Sequence, residues 1–177
     1  MGKIVLSALK WALIGGLSVI ILQTIFMLIS AGMMGGFWGV IVYLPLLFIM
    51  IWGGITIRKE NGGDIGYPKS LLAVFIIAVV GSLMYNVYVY QIWFKFVDPD
   101  FMDKVMEISE EKIRDKADKQ GITDEQLEMQ ISYVKGMNWE KWAYIISGSC
   151  SVVLSLIVSV FVSRPDRQEQ SIIKEES

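Results

Sequence analysis

Long apolar runs separated by polar segments make up most of the chain, and this alternation is the strongest signal in the sequence. Four runs contain no Asp, Glu, Lys or Arg, and each is long enough for a helix to cross the roughly 30 Å hydrocarbon core of a bilayer. We therefore predict an all-α fold, an integral membrane four-helix bundle that forms a single domain over 1–177. The predicted spans are residues 11–31, 37–57, 71–94 and 143–163.

Residues 95–142 break the pattern, since they are rich in acidic and basic residues and carry apolar residues at helical spacing. They predict an insert of two amphipathic helices between the third and fourth spans. Asp98 is followed by proline and is the expected N-cap of the first helix. Gly121 is a natural stop, after which Thr123 is the predicted N-cap of the second helix and Gln126 its capping-box partner.

Basic residues indicate how the spans are threaded, because cytoplasmic loops of membrane proteins are enriched in Lys and Arg. The 58–70 loop and both terminal segments carry basic residues close to span ends, whereas those in 95–142 are diluted by acid. We predict cytoplasmic termini, including a cytoplasmic tail at 164–177, and an extracytoplasmic insert. The first run is interpreted as a retained span, because it is longer than the apolar core of a cleaved signal peptide.

Tryptophans agree with this threading, since indole prefers the headgroup level of a bilayer. All six lie at or near the ends of predicted spans, and we interpret them as interface anchors. The predicted inner-face anchors are Trp11 and Trp52, and the outer-face anchors are Trp38, Trp93, Trp139 and Trp142.

Composition and charge exclude several classes of function. Apolar residues make up 54% of the chain and the net charge is −2, so we expect no nucleic-acid partner. The chain has no histidine and one cysteine, Cys150, so an internal disulfide is impossible and the usual ligands of zinc, haem and iron–sulfur sites are lacking. We expect no metal, no cofactor and no enzymatic activity, since no catalytic constellation is visible.

A ladder of serines occupies every fourth position of the fourth span, from Ser147 to Ser163. The third span repeats polar residues at the same spacing, and small or hydroxylated residues let membrane helices approach closely and hydrogen-bond. Matching the antiparallel spans by depth places Ser151 opposite Asn86, and we predict contact of Asn86 with Ser151 or Ser155. Serines bonded to their own helix, or self-association of the fourth span between two chains, are the alternatives. The predicted helix-packing seam consists of Ser82, Asn86, Tyr90, Ser151 and Ser155.

Two patterns on the first insert helix admit simple interpretations. Met102 and Met106 lie four residues apart, so their thioethers share one face. Thioethers can bind Cu(I), but methionine on the apolar side of an amphipathic helix is more often a packing residue, and we favour packing. Glu110 and Arg114 are spaced for an ion pair along the same helix.

Three stretches of sequence carry a family resemblance: "GDIGYPKSLLAVF" opens the third span, "FVDPDFMDKVMEISEEKI" leaves it, and "KQGITDEQLEMQISYVKGM" precedes the last span. Together with the four-span layout, they resemble a family of small bacterial membrane proteins catalogued as domain of unknown function 4199. The resemblance covers residues 1–163. It implies a bacterial inner (plasma) membrane and the same architecture, and it transfers no catalytic residue.

We expect a multi-pass membrane protein that acts as a non-enzymatic interaction or scaffold subunit. Its expected partners are the lipid bilayer and either another membrane protein or a second copy. The alternative is a small transporter or channel subunit for a neutral or lipidic solute, lined by the polar third span. A water-accessible cavity between the four spans that reaches Asn86 would favour transport, whereas a dry bundle with a flat apolar patch on the insert would favour interaction.

Overall fold

The computed structural model describes residues 1–34, 36–63 and 65–163, and within them the chain is helical and has no strand. The predicted all-α class is therefore confirmed. The predicted tail at 164–177 lies outside the described residues. The helices are α1 (Gly2–Ile29), α2 (Gly36–Ile41), α3 (Leu44–Glu60), α4 (Gly66–Val87), α5 (Phe101–Gln120), α6 (Asp124–Gly136) and α7 (Trp139–Ser163), with a 3₁₀ turn at Ala31–Met34 and a π-helical continuation of α4 at Tyr88–Val97.

The described part contains four helical stretches that are long and apolar enough to cross a membrane, in the predicted order. They are Gly2–Ile29, Trp38–Glu60, Gly66–Val97 and Trp139–Ser163. The second stretch is interrupted between Ile41 and Leu44. Pro45 lies in the first turn of α3, and because proline has no N–H, it cannot continue the backbone ladder from α2.

The bundle is organised around α4, which packs against α1, α3 and α7. A Cβ atom added at Gly16 on α1 would lie 3.3 Å from the carbonyl oxygen of Gly81 on α4, so the two backbones approach closely. Ala8 and Ala12 lie on the same line of α1 and are fully buried. Lipid tails are as apolar as the helices, so close packing of this kind, rather than the hydrophobic effect, holds membrane helices together.

One end of the bundle gathers the start of α1 with the ends of α3 and α7. The hydroxyl of Ser7 donates to the carboxylate of Glu60 over 2.9 Å. The buried guanidinium of Arg58 donates to the carbonyl oxygen of Val162 over 3.2 Å, and this cation also complements the negative end of the α7 dipole. The insert lies at the opposite end, because α5 packs against the 3₁₀ turn that follows α1.

The insert is a hairpin of α5 and α6 that turns at Gly121, whose φ of +63° is a left-handed conformation that favours glycine. Two ion pairs join the helices: Arg114 lies 3.6 Å from Glu128, and Lys135 lies 2.7 Å from Glu110. The predicted Glu110–Arg114 pair is therefore wrong. Both residues reach across to α6, which the sequence of α5 alone does not indicate.

The predicted Asp98 cap is also wrong. The helix α5 begins at Phe101, and Asp100 occupies the N-cap position. The N–H of Asp98 donates to the carbonyl of Trp93, so Asp98 ends the preceding π-helical segment. Its carboxylate binds the ammonium of Lys104 at 2.9 Å instead of the first N–H groups of α5.

The start of α6 has the cap expected of its sequence. Thr123 is extended, with φ −69° and ψ 153°, and its hydroxyl accepts a hydrogen bond from the N–H of Gln126 over 3.5 Å. A capping box consists of two reciprocal bonds, one from each side chain to the other residue's backbone N–H. The bond seen here is the one made by the threonine side chain, and Gln126 contributes its backbone N–H to it.

Candidate functional site

A cavity of about 400 Å³ lies among α2, α3, α4 and α7. Its volume falls within the roughly 300–1,000 Å³ that is typical of ligand pockets. Val40 on α2 and Ile146 on α7 line the cavity and are also exposed on the surface of the bundle. These two residues therefore mark its mouth, between α2 and α7.

The lining of the cavity is mainly apolar, and none of the described residues around it is charged. The rings of Tyr43 and Tyr85 meet edge to face with their centroids 5.3 Å apart, which holds both rings in place. Such a lining suits a neutral ligand with an apolar body and a few hydrogen-bonding groups. The polar groups of the lining belong to Tyr43, Tyr85, Asn86, Tyr90, Ser147 and Ser151.

Asn86 provides the amide of this lining and is buried on α4. Its side-chain nitrogen donates to the hydroxyl of Ser147 on α7 over 2.6 Å. A carboxamide has two N–H donors and a carbonyl acceptor, so this bond uses only part of its capacity. Asn86 is thus both a link between two helices and a polar group available to a ligand.

The hydrogen bonds between α4 and α7 differ in register from the predicted seam by one turn. Asn86 bonds Ser147, and the hydroxyl of Ser82 lies 3.1 Å from that of Ser151. The predicted partners of Asn86, Ser151 and Ser155, are therefore wrong. The prediction matched the ends of the two spans by depth, but α7 begins about one turn earlier than predicted.

The deeper serines of the ladder satisfy their hydroxyls on their own helix. Buried Ser155 donates to the carbonyl oxygen of Ser151 over 2.6 Å, and Ser159 donates to that of Leu156 over 3.0 Å. Serine in a helix often adopts this alternative. The ladder is therefore divided. Ser147 and Ser151 contact polar side chains of α4, although Ser147 also donates to the carbonyl oxygen of Tyr144 over 3.3 Å, whereas the bonds of the later serines stay within α7.

Tyr90 lies in the π-helical continuation of α4, at the end of the cavity nearest the insert. Its ring meets that of Phe94 edge to face at 5.2 Å and lies 6.3 Å from the ring of Tyr144 on α7. Both contacts restrict the tyrosine ring. A π-helix is rare in proteins and is found frequently at functional sites.

A polar cluster joins α4 and α7 at the insert end, and sequence reasoning missed it. Gln91 donates to the carboxylate of Glu140, and Lys95 donates to the side-chain oxygen of Gln91. In the sequence, only the four-residue spacing of Gln91 and Lys95 indicates that these two side chains lie next to each other on a helix. The contribution of Glu140 depends on the register of α7, which the sequence does not reveal.

Gln23 is a second residue that sequence reasoning missed. It is fully buried on α1, and neither polar atom of its amide has a hydrogen-bond partner among the described residues. Leaving a buried amide unsatisfied is unfavourable by about 1–3 kcal/mol. The only signal is one amide within an apolar run, which does not indicate whether the side chain faces lipid or protein.

The tryptophans do not all behave as the predicted anchors. Trp93 is buried, with its ring centroid 6.2 Å from that of Phe101, so it is a core residue where the π-helical segment meets α5. Trp11 is half-buried beside Gly53. The tryptophans with exposed rings are Trp38, Trp52, Trp139 and Trp142, and their place in the interface stays a prediction.

Among the described residues, no group of three or more His, Cys, Asp or Glu is placed to hold a metal ion. In a comparison with known families, the model described as "Protein of unknown function (DUF4199)" matches residues 10–164, which is most of the chain. No curated protein and no solved structure matches the chain.

Proposed function

The chain belongs to the DUF4199 family, and from that premise we propose that it binds a neutral amphiphile of the bilayer in the cavity among α2, α3, α4 and α7. The family match and the four apolar helices indicate a membrane protein. The proposal corresponds to the expected alternative, a transporter-like protein for a neutral or lipidic solute. It replaces the scaffold as the leading function because the cavity reaches Asn86.

One observation carries the proposal: an uncharged cavity with its mouth on the apolar surface of the bundle. A charged solute would lose hydration in such a site without gaining a counter-charge, which is strongly unfavourable. A lipid chain carries no charge to desolvate, and the mainly apolar lining offers it contacts like those of the bilayer. The amide of Asn86 and the hydroxyl of Ser147 can hydrogen-bond the headgroup and thereby select among lipids.

We further propose that the protein lies in the bacterial inner membrane with the insert outside. Arg58 and Lys59 in the last turn of α3, together with Lys69 in α4, support a cytoplasmic location for that end. The mouth then opens toward the outer leaflet.

Labelling of single cysteines on intact cells tests this orientation. In a Cys150→Ser background, Ser132→Cys should react with an impermeant maleimide, and Lys59→Cys should not. The reverse result would contradict the orientation.

Native mass spectrometry of the protein purified in mild detergent tests the binding. We expect the wild type to retain a neutral lipid and Cys150→Trp to lose it, because Cys150 lines the cavity and an indole there fills the space. The matched control is Val153→Trp, three residues along α7, whose side chain is exposed and does not line the cavity. Equal retention by both variants, or no lipid on the wild type, would contradict the proposal.

A second candidate is the scaffold function, and one observation favours it. Met129 and Tyr133 on α6 are large, apolar and exposed, although they belong to the polar insert. Exposed Met and Tyr side chains are enriched at protein interfaces. A membrane-protein partner that co-purifies with the wild type and is lost from a Met129→Glu, Tyr133→Glu double variant would support this function. Wild-type protein that purifies without a partner would count against the scaffold function.

A further inference from the structure

A second cavity, of about 330 Å³, lies beneath the insert helix α5. On the α5 side it is lined by Met102, Val105 and Met106, all half-buried, and by Ser109. The hydroxyl of Ser109 donates to the carbonyl of Val105 over 2.7 Å, so it is already satisfied within its own helix. The surface that α5 presents to this space is therefore apolar, although α5 as a whole is a charged helix.

The two cavities adjoin each other. Met34, from the 3₁₀ turn, and Tyr90, from the π-helical segment, line both of them. These two side chains are therefore the partition between the space among the spans and the space under the insert. The partners of the Tyr90 ring, Phe94 and Tyr144, restrain it, whereas a methionine side chain is unbranched and flexible. Met34 is the part of the partition that can move aside.

We infer that the two cavities form one passage for a single long lipid chain, with its headgroup near Asn86 and its chain end under α5. This inference rests on the proposed function and names its ligand class: a single-chain, uncharged lipid, such as a monoacylglycerol, taken from the bilayer. A short amphiphile would occupy the first cavity alone. The insert would thus shield the apolar chain as it leaves the membrane.

The chemistry of the second cavity supports an apolar chain over other occupants. None of the described residues around it is charged, so neither an ion nor a charged peptide would recover its hydration there. The thioethers of Met102 and Met106 can adapt to a flexible chain. The Met34–Tyr90 partition also leads directly to the uncharged cavity whose mouth faces lipid.

Photo-crosslinking in lipid nanodiscs tests the passage. Two long-chain monoacylglycerol probes are compared, one with a diazirine next to the headgroup and the other with a diazirine at the chain end. For the wild type, we expect the first probe to label α7 near Cys150 and the second to label α5 between Met102 and Ser109. Chain-end labelling confined to the spans would overturn the inference.

Two variants extend the test. Met106→Trp fills the second cavity, so labelling of α5 by the chain-end probe should be lost, while labelling of α7 by the headgroup probe stays and shows that the bundle is folded. The control is Gln130→Trp, which places the same indole at an exposed position of α6 and should label like the wild type. Met34→Ala opens the partition and should increase labelling of α5.

The outcomes separate the inference from the proposed function. Unchanged α5 labelling in Met106→Trp would overturn the passage and leave binding in the first cavity intact. If neither probe labels the wild-type protein, the proposed function fails, and the inference fails with it.

Discussion

Serine hydroxyls in α7 illustrate how one residue type has two roles at the same spacing. Ser151 lies 3.1 Å from Ser82 and so links two helices, whereas Ser159 bonds the carbonyl of Leu156 on its own helix. Both serines are buried, so burial alone does not distinguish them. What distinguishes them is the residue opposite on α4, a hydroxyl for Ser151.

This difference predicts unequal effects of the same substitution. Ser151→Ala should destabilise the folded bundle by about 1 kcal/mol, because interhelical hydrogen bonds in membranes contribute roughly 0.6–2 kcal/mol. Ser159→Ala should change stability little, because the lost bond lies within α7. Unfolding in a graded series of denaturing detergent mixtures measures both. Equal losses for the two variants would contradict the assignment of Ser151 to the seam.

At the scale of helices, much of the architecture follows from the sequence, because apolar run length and helical periodicity are local properties. They predict the order of the spans, the two insert helices and the turn at Gly121. Register is not local. The pairing of Asn86 with Ser147 depends on how far α7 extends. The burial of Trp93 depends on the π-helical segment, and no residue of Tyr88–Val97 predicts a π-helix.

The cavity was equally beyond sequence reasoning, although its polar residues were not. The four-residue spacing of polar residues in the third span predicts Asn86 and Tyr90 as members of a seam. The cavity lies beside the break between α2 and α3, and Tyr43 and Leu46, which flank Pro45, line it. The sequence shows the proline but not the volume of the space beside it.

Helix packing in the C-terminal half of α3 gives a prediction at this scale. A Cβ atom added at Gly54 would lie 2.7 Å from a methyl group of Val162, a side chain that is stiff at χ1. Gly54→Ala should therefore destabilise the bundle by about 1–3 kcal/mol through overpacking. Gly148→Ala on α7 is the control, since nothing lies within 4 Å of the added carbon there. A harmless Gly54→Ala in the same detergent unfolding assay would contradict the close α3–α7 contact.

At the scale of the whole molecule, a charged hairpin lies over one end of an apolar bundle. The second cavity lies at their junction, and the first extends from there into the bundle. Tyr90 belongs to both cavities, and the nearby Gln91–Glu140 bond ties α4 to α7. At the other end, Arg58 of α3 donates to the carbonyl of Val162 on α7, and glycines allow close helix contacts. The two ends therefore differ, with tight packing at one and open volume toward the other.

The native cysteine provides the most direct test of binding in the cavity. Cys150 is the only cysteine of the chain, lines the cavity and is exposed at its mouth, so its alkylation rate in detergent reports whether the site is occupied. The reference is Val153→Cys in a Cys150→Ser background, which places a thiol on the same helix outside the cavity. Adding a long-chain monoacylglycerol should slow alkylation of Cys150 and leave the reference rate unchanged. Equal rates at Cys150 with and without the lipid, or equal slowing at both positions, would contradict binding in the cavity.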